Sequence, residues 1–544
     1  MPDRDRQPHS SPNTLLAAAF LLLTAAIALI WSHNKLMWVD ELSVLQTASS
    51  PTLAQLIHIQ RFFPTALDPL VYQALAHVST LIFGVSAFAI RLPSLLGFLA
   101  MQLCLYLFVR RIAGSRAALV ALILPALSGT LYYAAEARPY GALLGIFGLV
   151  LIAYQSATRP EMMSSSFRSA AEESASLPLA TKTSPPTSRT TALIALALGL
   201  ALAPNTHYFA ILIFIPIALA ELTRAVQRRK LDWPLIAAIA TGFIALAGIL
   251  PFQPAVARFR LHYYNDAPTR PSIISSSYRY LLINYPLDGW ARRLLLLLLS
   301  ATILLAVCAC IRRSRRNPDT FPTQELVLIL SLTLLPAFGY ILAVFVTHGM
   351  EVRYVLGAII GIAALLAIAI APSLHQPRSA IITLATITLA LLIIATARIR
   401  AEQRTSAAIR ASLVVPATLK QQLLTSPDPN LYFNENGTFL VAAWYEPDPE
   451  VRSHFALFYS FDEEIRYRRR DTSSLGSEHM THFTGFPILT YDQLRALPGP
   501  HTIVQFTDPW DWTTDALPHD TTSLTPLGPA LGGNIVSATF SSKK

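Results

Sequence analysis

The chain has 544 residues, of which 53% are hydrophobic and only 14% are charged, and its mean hydropathy is +0.46. Charged residues make up about a quarter of an ordinary soluble protein, so this composition excludes a soluble protein and predicts an integral membrane protein. The formal net charge of +10 comes from short basic runs between apolar segments, which indicates membrane topology and not nucleic-acid binding.

About eleven apolar segments are long enough to cross a bilayer as helices. A span needs about 17–25 apolar residues, and only a helix satisfies every backbone polar group inside the membrane. The segments cover residues 14–31, 87–109, 117–135, 140–156, 190–204, 208–223, 233–251, 293–311, 326–346, 354–371 and 379–397. They predict a polytopic α-helical membrane domain over residues 14–397, preceded by a short tail at 1–13.

Basic residues in the connections predict the orientation, because Lys and Arg are enriched in cytoplasmic loops. Runs such as Arg110-Arg111, Arg228-Arg229-Lys230 and Arg315-Arg316 fall on the cytoplasmic side when the N-terminus is cytoplasmic. We therefore expect an inner-membrane protein with a cytoplasmic N-terminus. Residues 157–189 are rich in Ser, Thr and Pro, which predicts a flexible cytoplasmic linker.

The first outer loop, at about 32–86, contains two short and moderately apolar stretches. They are "TLAQLIHIQRFF" and "DPLVYQALAHVSTLIFG", and both are typical of interfacial helices that lie along the membrane surface. Asp68-Pro69 stands at the start of the second, where proline and an acid are both favoured. If this second stretch spans the membrane instead, the topology inverts after it.

The tail at 398–544 has shorter apolar runs and predicts a small extracytoplasmic α/β domain. An odd number of spans places it outside. "GTFLVAAWY" (437–445) and "HTIVQF" (501–506) are typical of strands, whereas "TYDQLRAL" (490–497) is typical of a helix.

Polar residues gather on the predicted outer face. Ionisable groups near membrane depth are costly, which makes them functional candidates. Asp40 is the strongest of them, because it lies between Trp38 and an apolar stretch, where an idle carboxylate would bear an uncompensated desolvation cost. The other groups are Glu41, Asp68, Arg91, Glu136, Arg138 and Tyr140, His207 and Tyr208, and His348, Glu351, Arg353 and Tyr354.

Several of these residues also have ordinary structural explanations. Arg91 and Arg353 could extend from helix ends towards the lipid headgroups. Glu41 could solvate the loop, or cap a helix N-terminus beside Asp40.

Six motifs in this order resemble a known class: "WVDEL", "DPLVY", "FGVSAFAIRLPSLL", "ARPY", "THYFA" and "EVRY". The sequence resembles the bacterial relatives of protein O-mannosyltransferases and lipid A aminoarabinose transferases. These are glycosyltransferase family 39-like members of the GT-C class of membrane glycosyltransferases. The resemblance covers roughly residues 14–397 and is strongest over 36–145.

The resemblance implies transfer of a sugar from a polyprenyl-phosphate donor to an extracytoplasmic acceptor, which is a lipid, a glycan or a protein. Asp40 looks like the general base, with Glu41 beside it in the catalytic pair. The substrate and phosphate contacts would come from Arg138, Tyr140, Arg353, Tyr354, Arg91 and Glu351. Some relatives bind a divalent cation, for which Asp68 and His207 are the nearest equivalents. Asp68-Pro69-Leu70 departs from the usual "PPL" of the class.

The chemistry fits these residue types. A carboxylate can take a proton from an acceptor hydroxyl as it attacks the anomeric carbon, and arginines stabilise a departing phosphate. One such displacement inverts the sugar centre. Two other classes stay open: a transporter or flippase for lipid-linked saccharides, which predicts ionisable residues midway through spans, and a non-catalytic envelope assembly protein.

Overall fold

The computed structural model of the protein describes residues 12–159, 189–263, 269–282, 289–426, 428–506 and 511–541. The predicted linker at 157–189 and the predicted tail at 1–13 lie outside these residues except at their ends. Helices make up most of the described chain, as the composition predicts.

The α-helices of the first half are α1 (Pro12–Asn34), α2 (Val39–Ala48), α3 (Leu53–Phe62), α4 (Leu70–Phe83), α5 (Ala87–Ala113), α6 (Ser115–Leu127), α7 (Pro139–Thr158), α8 (Arg189–Thr206), α9 (Phe214–Arg228), α10 (Trp233–Ile244), α11 (Gln253–Tyr263) and α12 (Ser272–Leu282). Those of the second half are α13 (Gly289–Arg316), α14 (Thr323–Thr333), α15 (Leu335–Leu342), α16 (Ala358–Ile370), α17 (Pro377–Ser412), α18 (Ala417–Thr425), α19 (Asn436–Tyr445), α20 (Pro449–Ser453), α21 (Phe461–Arg468), α22 (Thr472–Met480), α23 (Tyr491–Ala496) and α24 (Thr513–Asp520). Short 3₁₀ turns connect several of them, at Gly129–Ala134, Tyr208–Ile213, Ala245–Phe252, Val352–Val355 and Ala371–His375.

Each predicted span falls on helical structure. In the described part of the chain, eight helical runs are long and apolar enough to cross a membrane. A ninth candidate is the pair formed by α14 and α15, which is bent by 57°. The bend lies next to Pro336, and a proline inside an apolar helix is a common cause of a kink. The other two predicted spans correspond to α6 and α8, which are 13 and 18 residues long.

The chain divides into two compact units, each built from separate stretches of sequence. The bundle unit consists of Met1–Leu29, Pro93–Leu250 and Thr269–Thr396. The loop–tail unit consists of Ile30–Leu92, Pro251–Pro268 and Ala397–Lys544. The first outer loop and the tail are therefore parts of one folded unit, although about 300 residues of sequence separate them.

Glycines allow close helix packing in the bundle unit. A Cβ atom on Gly97 of α5 would overlap the backbone of Gly141 and Ala142 in α7. A Cβ atom on Gly145 would lie 2.6 Å from the carbonyl oxygen of Gly97. In a membrane, where no hydrophobic driving force joins helices, such small-residue contacts provide the close packing that holds them together.

We expect Gly97→Ala to destabilise the bundle unit by about 1–3 kcal/mol, because the added methyl group has no room. Alanine is a better helix former than glycine by about 1 kcal/mol. A loss of stability would therefore result from the steric overlap and not from a lower helix propensity. The measurement is the thermal unfolding midpoint in detergent. Gly485→Ala is the control, since no atom lies within 4 Å of the corresponding Cβ position. Equal midpoints for the two variants would contradict this packing.

Three helices of the first outer loop belong to the loop–tail unit. α2 packs against α3, α4 and α19, and α3 packs against α4. α3 and α4 confirm that the stretches around 52–63 and 68–84 are short helices. α4 begins directly after Asp68-Pro69, as predicted, and has 14 residues. Whether these helices lie along the membrane surface stays a prediction.

The tail contains a six-stranded mixed sheet with the order β3-β2-β1-β4-β6-β5. Its strands are β1 (Leu431–Phe433), β2 (Phe455–Tyr459), β3 (Ile488–Thr490), β4 (His501–Gln505), β5 (Thr521–Ala530) and β6 (Gly533–Phe540). The first four strands in this order are parallel, and β6 pairs antiparallel with β4 and β5. Parallel strands need crossover connections, which helices α19 to α23 supply. The predicted α/β character of the tail is confirmed.

One segment of the tail has a different structure from the predicted one. Residues 437–445 were expected to form a strand, but they form most of helix α19. The carboxylate of Glu435 caps this helix by accepting hydrogen bonds from the backbone N–H of Gly437 and Thr438 at 2.9 and 2.5 Å. An uninterrupted apolar run is compatible with a buried helix as well as with a buried strand. Here the N-terminal cap from Glu435 favours the helix. β4 and α23 form where "HTIVQF" and "TYDQLRAL" predict them.

Candidate active site

Arginine and aromatic side chains from three segments meet in the bundle unit. The ring centroid of His207 lies 5.1 Å from that of Tyr140 and 4.9 Å from that of Tyr354. The guanidinium carbon of Arg138 lies 5.9 Å from the Tyr140 ring, and that of Arg353 lies 5.8 Å from the Tyr354 ring. We call these five residues the arginine–aromatic cluster. Its members were all candidates from sequence, and the fold brings them together.

Local backbone geometry positions the first part of the cluster. Pro139 is the first residue of α7, and Arg138 before it is extended, with φ −132° and ψ 155°. A proline favours an extended residue before it and a helix start at its own position. The carbonyl oxygen of Arg138 also accepts a hydrogen bond from Ser94 Oγ at 2.6 Å. The "ARPY" motif therefore sets the positions from which the side chains of Arg138 and Tyr140 extend.

His207 connects α8 to the next 3₁₀ turn. Its backbone is extended, and its Nδ1 atom accepts a hydrogen bond from the backbone N–H of Phe209 at 3.2 Å. The side chain is only 6% exposed. Burial lowers the pKa of the imidazole below its usual range, and the positive charges of Arg138 and Arg353 lower it further. His207 is therefore neutral near pH 7.

Three further aromatic residues, none of them among the candidates from sequence, lie around the cluster. The ring of Tyr133 contacts that of Tyr140 edge-on at 4.9 Å, and Phe209 lies 4.7 Å from Tyr354. Tyr280 donates a hydrogen bond to the carbonyl oxygen of Gly129 at 3.1 Å. Tyr133 lies shortly before "ARPY" and Phe209 lies within "THYFA", so their positions in the sequence could have predicted that they belong to the site. Tyr280 is remote in sequence, and its position gave no such indication.

Glu351 is the most exposed of the predicted substrate contacts. It precedes the turn that carries Arg353, and its carbonyl oxygen accepts a hydrogen bond from the backbone N–H of Tyr354 at 3.0 Å. The structure thus shows a backbone role for Glu351 in holding the turn. A substrate contact by its exposed carboxylate stays a prediction.

A buried ion pair joins Glu41 and Arg91 in the loop–tail unit. Arg91 Nε and Nη2 donate to the two carboxylate oxygens of Glu41 at 2.7 and 2.8 Å, and Lys35 Nζ lies 3.3 Å from Oε2. Glu41 is completely buried and Arg91 is 3% exposed. Arg91 also donates to the backbone carbonyl groups of Ser32, Lys35 and Leu36.

These contacts correct two sequence-based interpretations. Glu41 does not solvate the loop, and Arg91 does not reach towards headgroups, because both are buried within one fold. The two-point geometry between guanidinium and carboxylate is the strongest arrangement of such a pair. The pair connects α2 to α5 and fixes where α2 begins.

Asp40 stands next to Glu41 and differs from it in burial. It is the second residue of α2 and is half-buried, whereas Glu41 is fully buried. Adjacent residues leave a helix about 100° apart, so the two acids point in different directions. The positive end of the helix dipole also favours a carboxylate at this position.

Asp68 lies in the loop–tail unit and His207 in the bundle unit. Asp68 is 6% exposed, and its carbonyl oxygen accepts a hydrogen bond from Gln60 Nε2 at 2.6 Å. Among the residues that the structure describes, no group of three or more His, Cys, Asp or Glu side chains could hold a metal ion. A cation bound through Asp68 and His207 stays a prediction of the resemblance.

A cavity of about 450 Å³ lies within the loop–tail unit, between the first outer loop and the tail. Leu42, Leu45, Gln46 and Ser49 of α2 line it on one side. These positions lie on one face of helix α2. Asp40 precedes Leu42 by two residues and therefore lies on the opposite face of the helix. The cavity is therefore separate from the candidate base.

Comparisons with known proteins agree with this architecture. Residues 68–154 match the family model described as dolichyl-phosphate-mannose-protein mannosyltransferase. None of the curated proteins matches the sequence significantly.

Two solved structures share the fold over nearly the whole chain. ArnT from Cupriavidus metallidurans bound to undecaprenyl phosphate is 12% identical, with a TM-score of 0.55, and the alignment covers 98% of this chain and 99% of that one. The apo form of the same ArnT is 13% identical, with a TM-score of 0.54, covering 96% and 98%. At these identities the likeness shows the fold. Together with the family-model match over residues 68–154 it confirms the sequence resemblance, and this chain is a polytopic membrane protein with the fold of the GT-C glycosyltransferases.

Proposed function

We propose that the protein transfers a sugar from a polyprenyl-phosphate donor to an acceptor hydroxyl, with inversion at the anomeric carbon. The observation that carries the proposal is the arginine–aromatic cluster. Two guanidinium groups stand beside a neutral imidazole and two tyrosine rings. This combination suits an anionic phosphate, because Arg binds phosphate oxygens in two-point geometry and aromatic rings pack on sugar or prenyl carbons.

The donor class is supported by the fold and by the bound lipid of a structural relative. ArnT, which shares the fold, was solved with undecaprenyl phosphate. A lipid-linked phosphate lies at headgroup depth, where a half-buried guanidinium interacts with it more strongly than in water. Arg138 and Arg353 are the proposed phosphate ligands, and Tyr140, Tyr354 and Glu351 are the proposed sugar or phosphate contacts.

The proposed reaction is a single displacement. The acceptor oxygen attacks the anomeric carbon, and Asp40 takes the hydroxyl proton as the new C–O bond forms. The bond from the anomeric carbon to the phosphate oxygen breaks, and the polyprenyl phosphate leaves with the electron pair. Arg138 and Arg353 stabilise the charge on this leaving group.

Glu41 and Arg91 take a different role in this proposal from the one expected from sequence. Their buried ion pair holds the first turn of α2, which carries Asp40. We assign them as positioning residues and not as groups that touch the substrate. No step passes through a metal ion.

We further propose that the N-terminus is cytoplasmic and that the tail lies outside an inner membrane. The distribution of Lys and Arg in the connections supports this orientation. Labelling of a cysteine introduced into the tail of a variant without native cysteines, with a reagent that cannot cross the membrane, tests it. Labelling only after the cells are broken would contradict the orientation.

The donor site can be tested by replacing Arg353. We expect Arg353→Met to weaken binding of undecaprenyl phosphate about 10- to 100-fold, because a hydrogen bond to a charged group contributes about 1.5–3 kcal/mol. The measurement is lipid binding to the purified protein in nanodiscs. Arg378→Met is the matched control, since Arg378 is an exposed arginine of the same unit. Equal affinity in the two variants would remove Arg353 from the donor site.

A further inference from the structure

The imidazole of His207 has one nitrogen already in use. Nδ1 accepts the backbone N–H of Phe209 at 3.2 Å and thereby caps the 3₁₀ turn that follows. An acceptor nitrogen carries a lone pair and no hydrogen, so the single hydrogen of the neutral ring is on Nε2. The hydrogen-bonding pattern of the backbone thus selects the tautomer.

This tautomer conflicts with metal binding. A histidine binds a metal ion through a nitrogen lone pair, and its other nitrogen then carries the hydrogen. If Nε2 held a metal, Nδ1 would carry a hydrogen that points at the N–H of Phe209, and the cap would be lost. The missing three-ligand group around His207 in the described residues agrees with this conclusion.

The same tautomer makes His207 a hydrogen-bond donor. Its ring contacts those of Tyr140 and Tyr354, with centroid distances of 5.1 and 4.9 Å, and the guanidinium carbons of Arg138 and Arg353 lie 5.9 and 5.8 Å from these two rings. A neutral hydrogen-bond donor beside two half-buried cations adds a directed hydrogen bond to an anion without adding a third positive charge. Such a charge would be costly beside two others.

We infer that His207 binds no metal ion and instead donates its Nε2–H to a phosphate oxygen of the polyprenyl-phosphate donor. The inference rests on the proposed function, because it assigns a third ligand to the same phosphate. His207 is thus a binding residue that replaces a cation where the resemblance suggested one.

Two substitutions of His207 distinguish its capping of the 3₁₀ turn from its role as a hydrogen-bond donor. In His207→Asn the shorter side chain still caps the turn, since Asn is a preferred N-cap residue, but the Nε2–H is lost. In His207→Ala both are lost. We expect both variants to bind undecaprenyl phosphate in nanodiscs about tenfold or more weakly than wild type, the scale of one hydrogen bond to a charged group. The thermal midpoint should fall only in His207→Ala.

A metal titration gives a readout independent of the lipid. We expect Zn²⁺ titrated into the wild-type protein to show no site that His207→Asn removes, and EDTA to leave undecaprenyl phosphate binding unchanged. Stoichiometric Zn²⁺ binding that disappears in His207→Asn would overturn the inference, as would equal lipid affinity in wild type and His207→Asn. If the wild type binds no undecaprenyl phosphate, the proposed function itself fails, and the donor role of His207 fails with it.

Discussion

Asp40→Asn is expected to lower turnover at least about a hundredfold while leaving folding and membrane insertion unchanged. Removal of a general base typically costs a factor of about 10²–10⁴. Asparagine keeps the size and polarity of the side chain and can occupy the first turn of α2, but it cannot take a proton from the acceptor. The measurement is the initial rate of sugar transfer by purified protein at saturating donor.

Asp319→Asn is the control for this substitution. Asp319 is an exposed aspartate in the connection between α13 and α14, and its neutralisation should leave the rate unchanged. The thermal midpoints of both variants should match that of the wild type. A rate for Asp40→Asn within a few-fold of wild type would place the base elsewhere.

Glu41→Gln is expected to destabilise the protein by about 3–5 kcal/mol, the usual cost of breaking a buried ion pair from one side. The substitution leaves the buried guanidinium of Arg91 and the buried ammonium of Lys35 without their carboxylate. Thermal unfolding in detergent and the yield of folded protein measure the effect. The neighbouring Asp40→Asn variant, which removes a half-buried carboxylate of the same helix turn, is the natural comparison.

A double substitution distinguishes positioning from catalysis at Glu41. In Glu41→Gln combined with Arg91→Met the orphaned guanidinium is also removed, so the loss of stability should be smaller than the sum of the two single losses. If Glu41→Gln instead keeps full stability and loses turnover as strongly as Asp40→Asn, Glu41 acts in the chemistry, as the sequence alone suggested.

The membrane architecture could be predicted from sequence because the bilayer imposes a strong and local constraint. An apolar run of about 20 residues has only the helix available to it, and all eleven predicted runs are helical. Two of the three helices of the first outer loop, α3 and α4, were also predicted, because their apolar content is moderate and Asp68-Pro69 marks a helix start. The strand predicted at 437–445 was wrong, because the deciding contact was the side-chain cap of Glu435.

Candidate site residues were easier to find than their roles. The members of the arginine–aromatic cluster could be found from the motifs "ARPY", "THYFA" and "EVRY", because ionisable side chains are rare near membrane depth. The role of Glu41 depended on Arg91, which is 50 residues away and contacts it only in the folded unit. Likewise, nothing in the sequence shows which nitrogen of His207 accepts the hydrogen bond from Phe209.

The most direct test of the account is the fate of a polyprenyl-phosphate-linked sugar supplied to the purified protein in liposomes. Undecaprenyl-phosphate-linked sugars with a radiolabel in the sugar would be offered together with an envelope lipid extract as acceptor. We expect one undecaprenyl phosphate to be released for each sugar transferred and the product to have an inverted anomeric configuration, and we expect neither result with Asp40→Asn. Movement of the intact lipid-linked sugar to the opposite leaflet, with no release of undecaprenyl phosphate, would contradict it and indicate a flippase.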